Sequence, residues 1–477
     1  MPVFGGGWAV SASTGGCVVL CGGGGSGRHG VKNLVIAAEV AGGGEAPSSS
    51  SLSQGAEVLV KRGALDTQSE LPNAVAVHPG GGACVASFED GVRVVNLVRG
   101  KDVAELSPFS RQPSEETTKM IGTPSEGGKQ GSDAVREWKL AEDEDRTLKL
   151  AGYGEQSAVA FAEDGTAVVL AGSASQGKSA CVRMLEWPGL RVLWKKESAS
   201  GEHDLVDVND VAVSPDGAMV ASTSGAGRVT LMDARRNGAV RWSAGPDSGL
   251  SLPGIGVGGR FRGVCFATRP HGSPDTLLVA GYNAPNACYL VAWRVPADGG
   301  VVTGSPAAAR GGKGAAPPLV LDGCRRVARG ESITRLCVSA GRTLLAVGTN
   351  EGRVMVHTAG GTMPVVLDRP RCHGLFVTTL AFGPARPLDT GRGKESVALL
   401  SASADTTVRV LQVPRNDGRP AWATPLAVLL IALMISLLLG LLSSQPELAD
   451  AFRRWSVEEA DALAISWRTL RTRILGE

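Results

Sequence analysis

A strand–turn–strand pattern recurs along most of this chain and limits the folds that it can adopt. The clearest copy runs over Val208–Asp233 as an alternating strand, a Ser-Pro-Asp-Gly turn, a strand of small residues, a glycine turn and a third strand. Alternating apolar and polar residues are typical of a half-buried strand, and Pro-Asp-Gly is a turn sequence. No helical periodicity of useful length precedes residue 420. The pattern therefore predicts an all-β protein and argues against a doubly wound α/β sheet.

Further copies of the unit predict one large repeat domain. They begin near Asn73, Ser157, Phe261, Ser332 and Phe376. With the segment around the glycine run they make seven units, and their spacing is roughly 35 to 60 residues, as in propeller repeats. The chain thus resembles a degenerate WD-repeat β-propeller, although few units end in Trp-Asp. We predict a seven-bladed propeller with four strands per blade over residues 1–420, with disordered insertions near 107–133 and 296–318.

Cysteine usage and charge bear on the compartment and the partners. The nine cysteines contain no CxxC pair, and Cys372-His373 has no second pair that could complete a metal site. We therefore predict buried, reduced thiols in a cytosolic domain rather than disulfides or zinc ligands. The net charge of +2 gives no reason to expect a nucleic-acid partner.

An uncharged apolar run near the C-terminus predicts a single transmembrane helix. Pro425–Leu442 is about as long as a bilayer core requires, and Trp422 stands at its entrance, so we place the span at 422–442. Met1–Trp8 has neither a basic start nor an apolar core, and we expect the propeller to face the cytosol. Residues 443–477 are then a short luminal tail. Both an amphipathic membrane-surface helix and a partly ordered spacer stay open for it.

A glycine-rich loop, Gly22–Asn33, lies between two strand-like stretches and carries the strongest functional signal. Gly25–Gly30 matches GxGxxG, but a strand follows where a dinucleotide site needs a helix. A phosphate-binding loop fails because Arg28 and His29 stand where Lys and Ser/Thr are required. A long propeller turn whose glycines accumulated without a functional role is the alternative interpretation, but it does not explain the asparagine at the loop's exit.

The same loop resembles the signature of the endoplasmic-reticulum exchange factors that recruit the Sar-type GTPase. This family comprises the Sec-twelve exchange factors and the prolactin regulatory element-binding protein. Its pattern is four glycines, a short spacer, a glycine, a β-branched residue, one further residue and an asparagine. The chain matches the pattern at Gly22, Gly23, Gly24, Gly25, Gly30, Val31 and Asn33. The family's cytosolic propeller and single C-terminal span also correspond to the whole chain.

The resemblance implies a guanine nucleotide exchange factor that activates a Sar-type GTPase at the endoplasmic reticulum membrane and starts COPII vesicle budding. COPII coat components are then further partners. It also implies a loop folded around a potassium ion, with the carbonyls of Gly22–Gly25 and the side chain of Asn33 as ligands. Gly30 and Asn33 are the residues expected to act in exchange, and Ser26–His29 and Lys32 are at most GTPase contacts. Several oxygen ligands of modest field strength suit potassium.

Two functions stay open at this point. The first is the exchange factor. It promotes GDP release without an organic cofactor and without making or breaking a covalent bond, so we do not expect an enzyme. The second is a membrane-anchored propeller scaffold or cargo-exit helper without exchange activity. The retained signature favours the first, and a nucleotide-dependent enzyme is disfavoured because no nucleophile–base or metal constellation appears. Since Asn33 precedes the strand Leu34–Val40, we expect its side chain to serve the loop alone and its substitution to leave stability nearly unchanged.

Overall fold

The computed structural model divides the chain into two units, Met1–Arg415 and Asn416–Glu477. It describes residues 2–11, 15–24, 31–40, 59–68, 70–99, 138–150, 155–173, 180–197, 207–246, 258–269, 275–296, 319–387, 395–414, 433, 434 and 436. The expected span at 422–442, the tail at 443–477 and the insertions at 107–133 and 296–318 lie almost entirely outside these residues. Within the described residues, no helix is both long enough and apolar enough to cross a membrane.

The described part of the first unit forms seven antiparallel sheets, each made of consecutive strands, which we call blades 1 to 7. Blades 1 to 3 contain β1 (Val3–Ser11), β2 (Gly15–Gly22), β3 (Leu34–Val40), β4 (Leu59–Asp66); β5 (Ala74–Val77), β6 (Ala83–Ser87), β7 (Gly91–Arg99), β8 (Trp138–Lys149); and β9 (Gln156–Phe161), β10 (Ala167–Gly172), β11 (Cys181–Glu186), β12 (Val192–Glu197).

The remaining blades continue in the same order. Blades 4 to 7 contain β13 (Val208–Val213), β14 (Met219–Ser224), β15 (Val229–Asp233), β16 (Ala239–Ala244); β17 (Arg260–Thr268), β18 (Thr276–Ala284), β19 (Ala287–Val295), β20 (Val320–Arg329); β21 (Ile333–Val338), β22 (Leu344–Thr349), β23 (Val354–Thr358), β24 (Val365–Arg369); and β25 (Val377–Pro387), β26 (Glu395–Ser403), β27 (Val408–Pro414).

These blades confirm the predicted all-β seven-bladed propeller. Each of the five predicted unit starts lies one residue from the beginning of β5, β9, β17, β21 or β25. Blade 7 differs from the expectation of four strands, since its described residues form three. The first strand of each blade lies against the first strand of the next, from β1 against β5 around to β25 against β1, so the ring is closed.

The core is divided into seven apolar clusters, one between each pair of neighbouring blades. Because every blade is covered on both faces, its second strand is largely buried, and all six residues of β10 are buried. The outermost strand has a solvent side, and β12 begins with two exposed residues. The type of residue pattern in a strand thus depends on where the strand lies in the blade: the second strand is buried on both faces, and the outermost strand has exposed residues.

Blade 7 closes on blade 1 through side-chain contacts. Val3, Val18 and Leu20 of blade 1 pack against Ala398, Leu400, Ala402 and Val410 of blade 7. Two hydrogen bonds cross the same junction: Thr378 Oγ1 donates to the Val3 carbonyl, and Trp8 Nε1 donates to the Ala381 carbonyl at 3.0 Å. In the described residues no strand is shared between the two blades.

Candidate partner-binding face around the glycine loop

The glycine loop stands on the end of the ring that we call the loop face. In a blade of consecutive antiparallel strands, the connection from the second to the third strand and the connection to the next blade lie at the same end. Hydrogen bonds join these connections: Thr67 N donates to the Asn33 carbonyl at 3.0 Å, and His373 N donates to the Gly352 carbonyl at 3.0 Å. The loop face therefore carries the glycine loop of blade 1, the connection from blade 1 to blade 2 and the connection from blade 6 to blade 7.

Three of the signature glycines form the narrow neck of the loop. Gly22 is the last residue of β2 and pairs with both Val3 and Leu34, so it belongs to the sheet. A Cβ on Gly23 would overlap the side-chain oxygen of Asn33, and a Cβ on Gly24 would come within 2.7 Å of the Val31 Cβ. Glycine is required here because the two arms of the loop approach so closely. The tip, Gly25–Gly30, lies outside the described residues, and with it the predicted sites Gly25 and Gly30.

Asn33 differs from the expectation that it serves the loop alone. It is only 1% exposed. Its Nδ2 donates to the Gln68 carbonyl at 3.0 Å, and its own carbonyl accepts from Thr67. Asn33 therefore ties the exit of the glycine loop to the connection that leaves β4. The expectation of a role in the loop alone was wrong, because a partner 35 residues away fixes this side chain and no local pattern reveals it.

The neck fits the expected potassium ligands in one respect. Because the Asn33 amino group is committed to Gln68, its amide oxygen is turned toward Gly23. An amide oxygen beside a glycine backbone is the kind of oxygen ligand that potassium prefers. The Asn33 side chain and backbone carbonyls of the loop glycines would hold the ion, and Gly22 belongs to the sheet rather than to the loop. Among the described residues, no three His, Cys, Asp or Glu side chains are grouped as a metal site.

One charged side chain stands at the neck. Lys32 is exposed, and its Nζ lies 3.4 Å from a carboxylate oxygen of Asp66, at the end of β4. An exposed pair of this kind contributes little to stability. It does leave a cation accessible on the loop face, in the position where the sequence predicted a partner contact. Ser26–His29, the other predicted contacts, lie outside the described residues.

The neighbouring blade presents a feature that sequence reasoning missed. Leu375 and Phe376 end the connection from β24 to β25 and are 50% and 45% exposed. The unit repeat placed Phe376 at the start of a strand, whereas the strand begins one residue later, at Val377. From composition alone, two apolar residues at the start of a strand are expected to be buried. Their exposure follows from their position at the edge of the blade, which the sequence does not show.

The loop that carries this pair is anchored from beneath. His373 is buried and hydrogen-bonds with Thr407 Oγ1 at 2.6 Å and Ser401 Oγ at 2.8 Å. Burial lowers the pKa of His373, and the charge of Asp405 opposes that shift. The His373 side chain is therefore a structural part of blade 7, which accounts for the isolated Cys372-His373 pair.

The cysteines have a structural role as well. All nine are free thiols, and seven of them are buried, which confirms the predicted buried thiols. Burial raises the pKa of Cys17 and of Cys21 to about 12. Thiolate is the reactive form, so these side chains are inert at neutral pH.

Comparison with known proteins adds little beyond this geometry. No protein-family model and no curated protein match the sequence. Sqt1 from Chaetomium thermophilum is similar in structure, with 14% identity, a TM-score of 0.47 and coverage of 85% of this chain and 82% of that chain. Chaetomium thermophilum Sqt1 bound to the N-terminus of ribosomal protein L10 gives 15% identity, a TM-score of 0.45 and coverage of 86% and 87%. Similarity at this level carries no argument about function, and the propeller assignment rests on the chain's own seven sheets.

Proposed function

We propose that this chain is a guanine nucleotide exchange factor for a Sar-type small GTPase, acting through the glycine loop of blade 1. The observation that carries the proposal is the resemblance of Gly22–Asn33 to the signature of that family, on a chain whose first unit is a seven-bladed propeller. The position of the loop supports it, since both arms are fixed by blade 1 and the neck opens on the loop face. A fixed base suits a loop that must press on a partner.

Exchange requires no covalent step from this chain. A factor that binds the nucleotide-free GTPase more tightly than the GDP-bound form must, by linkage, weaken GDP binding by the same factor. The neck contributes by holding Asn33 and the glycine backbone in one arrangement before the GTPase binds. Potassium, when bound, supplies a positive charge that keeps the loop oxygens together.

The place of action belongs to the same proposal. The apolar run at 422–442 supports anchoring in the endoplasmic reticulum membrane, with the propeller in the cytosol, where it would start COPII budding. The buried free thiols are in keeping with a reducing compartment.

Release of a fluorescent GDP analogue from a purified Sar-type GTPase tests the proposal. We expect the full-length chain to accelerate release in proportion to its concentration, and to leave an unrelated small GTPase unaffected. Replacing potassium by sodium should reduce the acceleration, since the smaller ion fits a carbonyl cage of this kind poorly. If the chain binds the GTPase without accelerating release, the scaffold or cargo-exit function replaces the exchange factor.

A further inference from the structure

Leu375 and Phe376, which we call the apolar pair, are adjacent exposed residues that belong to none of the seven inter-blade clusters. Among the described residues, Phe376 is the only aromatic side chain in the set of exposed large hydrophobic residues. Aromatic side chains are enriched at the energetic centres of protein interfaces. The other exposed apolar residues of the propeller are aliphatic and lie on the outermost strands β12, β16, β20 and β24.

The backbone beneath the apolar pair is fixed, although its side chains are in solvent. The buried Ser403 hydroxyl lies 3.2 Å from the Leu375 carbonyl and 3.0 Å from the Phe376 carbonyl. Gly374 N donates to Asp405 Oδ2 at 2.6 Å. A residue held in this way loses little further conformational entropy on binding. The loop thus presents two apolar groups in a preformed arrangement.

The apolar pair lies on the loop face, at the start of the blade that adjoins blade 1. Phe376 precedes Thr378 by two residues, and Thr378 bonds to Val3, whose strand partner is Gly22 at the neck. A stable interface covers about 800 Å² on each partner, which is more than the edge of one blade. A protein seated on the glycine loop therefore extends over a neighbouring blade.

We propose that the apolar pair is a second contact for the GTPase that the glycine loop engages, and that it receives an apolar surface of that GTPase. This inference rests on the proposed function. The two contacts have different roles: the glycine loop acts on the nucleotide site of the GTPase, and the apolar pair increases the affinity for the GTPase. Loss of the pair should therefore weaken binding without slowing release from the bound GTPase.

The test compares matched double variants of the full-length protein. Leu375→Ser/Phe376→Ser removes the apolar pair, and Val192→Ser/Leu193→Ser removes an aliphatic pair of similar exposure, 45% and 43%, on the outer strand of blade 3. We expect the first variant to raise the GTPase concentration for half-maximal GDP release about tenfold or more, with an unchanged maximal rate. The control variant should match the parent in both quantities, and both variants should keep the parent's melting temperature.

The outcomes separate this inference from the proposed function. If the parent accelerates GDP release and Leu375→Ser/Phe376→Ser does so with the same half-maximal concentration, the second contact is overturned and the exchange factor stands. A fall in maximal rate alone would also overturn it, because the pair would then act on release. If the parent neither binds nor accelerates the GTPase, the proposed function fails and this inference fails with it.

Discussion

At the scale of single residues, Asn33 combines a structural contact with the predicted functional one. Its amino group and its carbonyl bond to Gln68 and Thr67, while its amide oxygen faces the glycine neck. One face of the amide thus belongs to blade 1 and the other to the loop. A substitution at this position must alter both, and activity alone cannot separate them.

We predict that Asn33→Ala removes most of the exchange activity and also lowers the free energy of unfolding by about 1 to 2 kcal/mol, since a buried hydrogen bond is lost. Asn283→Ala is the control, because the Asn283 side chain makes two hydrogen bonds with Ile333 between blades 5 and 6. It should cost similar stability and leave exchange intact. GDP release and urea unfolding, measured on all three proteins, check this. Equal loss of exchange in both variants would assign the effect to stability.

A second prediction concerns the close approach of the two loop arms. Gly23→Ala places a methyl group where the Asn33 oxygen lies, so it should destabilise blade 1 by about 1 to 3 kcal/mol and impair exchange. Gly82→Ala, at an exposed turn where nothing lies within 4 Å of the added Cβ, should change neither quantity. Thermal unfolding of the two variants provides the test. If the glycines of the loop had no steric role, Gly23→Ala and Gly82→Ala would have the same melting temperature.

Only part of the candidate site was predictable from residues in sequence. The pattern from Gly22 to Asn33 is local, so its resemblance to a known signature could be recognised. The contact of Asn33 with Gln68 and the exposure of Leu375 and Phe376 depend on which strands become neighbours and where a blade ends. Nothing in the local composition of these residues records that information.

At the scale of elements, the connection from β24 to β25 is held by His373, whose burial has a consequence for pH dependence. The pKa of His373 lies below its usual value mainly because burial disfavours the charged ring; Asp405 raises it and Arg409 lowers it further. The unfolded chain therefore takes up the proton first. Stability from this group is complete above the unfolded pKa of about 6.5 and is lost as the pH falls toward the folded pKa.

We predict that the His373 contribution to the unfolding free energy falls between pH 7 and pH 5, with His357 contributing in the same direction because burial lowers its pKa too. Asp405 does not contribute in this window: burial opposes its charge, but bonds from Thr407 and Gly374 hold its pKa at about 2. His373→Gln should be less stable at pH 7 and show a flatter decline. Urea unfolding at several pH values measures both, and an unaltered slope in the variant would contradict the assignment.

The strand elements show where local patterns mislead. Acidic residues are depleted in strands, yet the acidic run Ala141–Asp145 lies within β8, the outermost strand of blade 2. Glu142 and Asp143 are half-buried, with Arg93 and Asn96 of β7 as partners. Charge on an edge strand is compatible with strand structure when the adjacent strand supplies the opposite charge. Continuous runs of apolar and small residues elsewhere were a reliable guide to strands because both faces of a blade are buried.

At the scale of the whole molecule, the described core of the first unit is complete as a ring of seven clusters before Arg415. All seven inter-blade clusters lie between Val3 and Val413. The number of blades was predictable because each repeat carries its own turn and strand signals. That the described residues of blade 7 form three strands was not predictable, since β25, β26 and β27 carry no sequence signal about a fourth strand.

We predict that a chain ending at Arg415 is soluble and folded, with a single cooperative thermal transition. A chain ending at Thr407 should be markedly less stable, because it lacks β27 and with it Val410 and Val413 of two inter-blade clusters. Circular dichroism and sedimentation velocity on the two truncations provide the measurement. Aggregation of the longer chain without membrane present would show that the propeller depends on residues 416–477.

The closure of blade 7 onto blade 1 through side-chain contacts also sets a delay during synthesis. At roughly 5 to 20 residues per second, about 20 to 80 s pass between the appearance of β1 and that of β27. Through this interval Val3, Val18 and Leu20 lack their partners in blade 7, which have not yet been made. The apolar flank of the first blade is therefore the nascent chain's longest-exposed aggregation risk, and its duration depends on the length of the ring rather than on the folding speed of any blade.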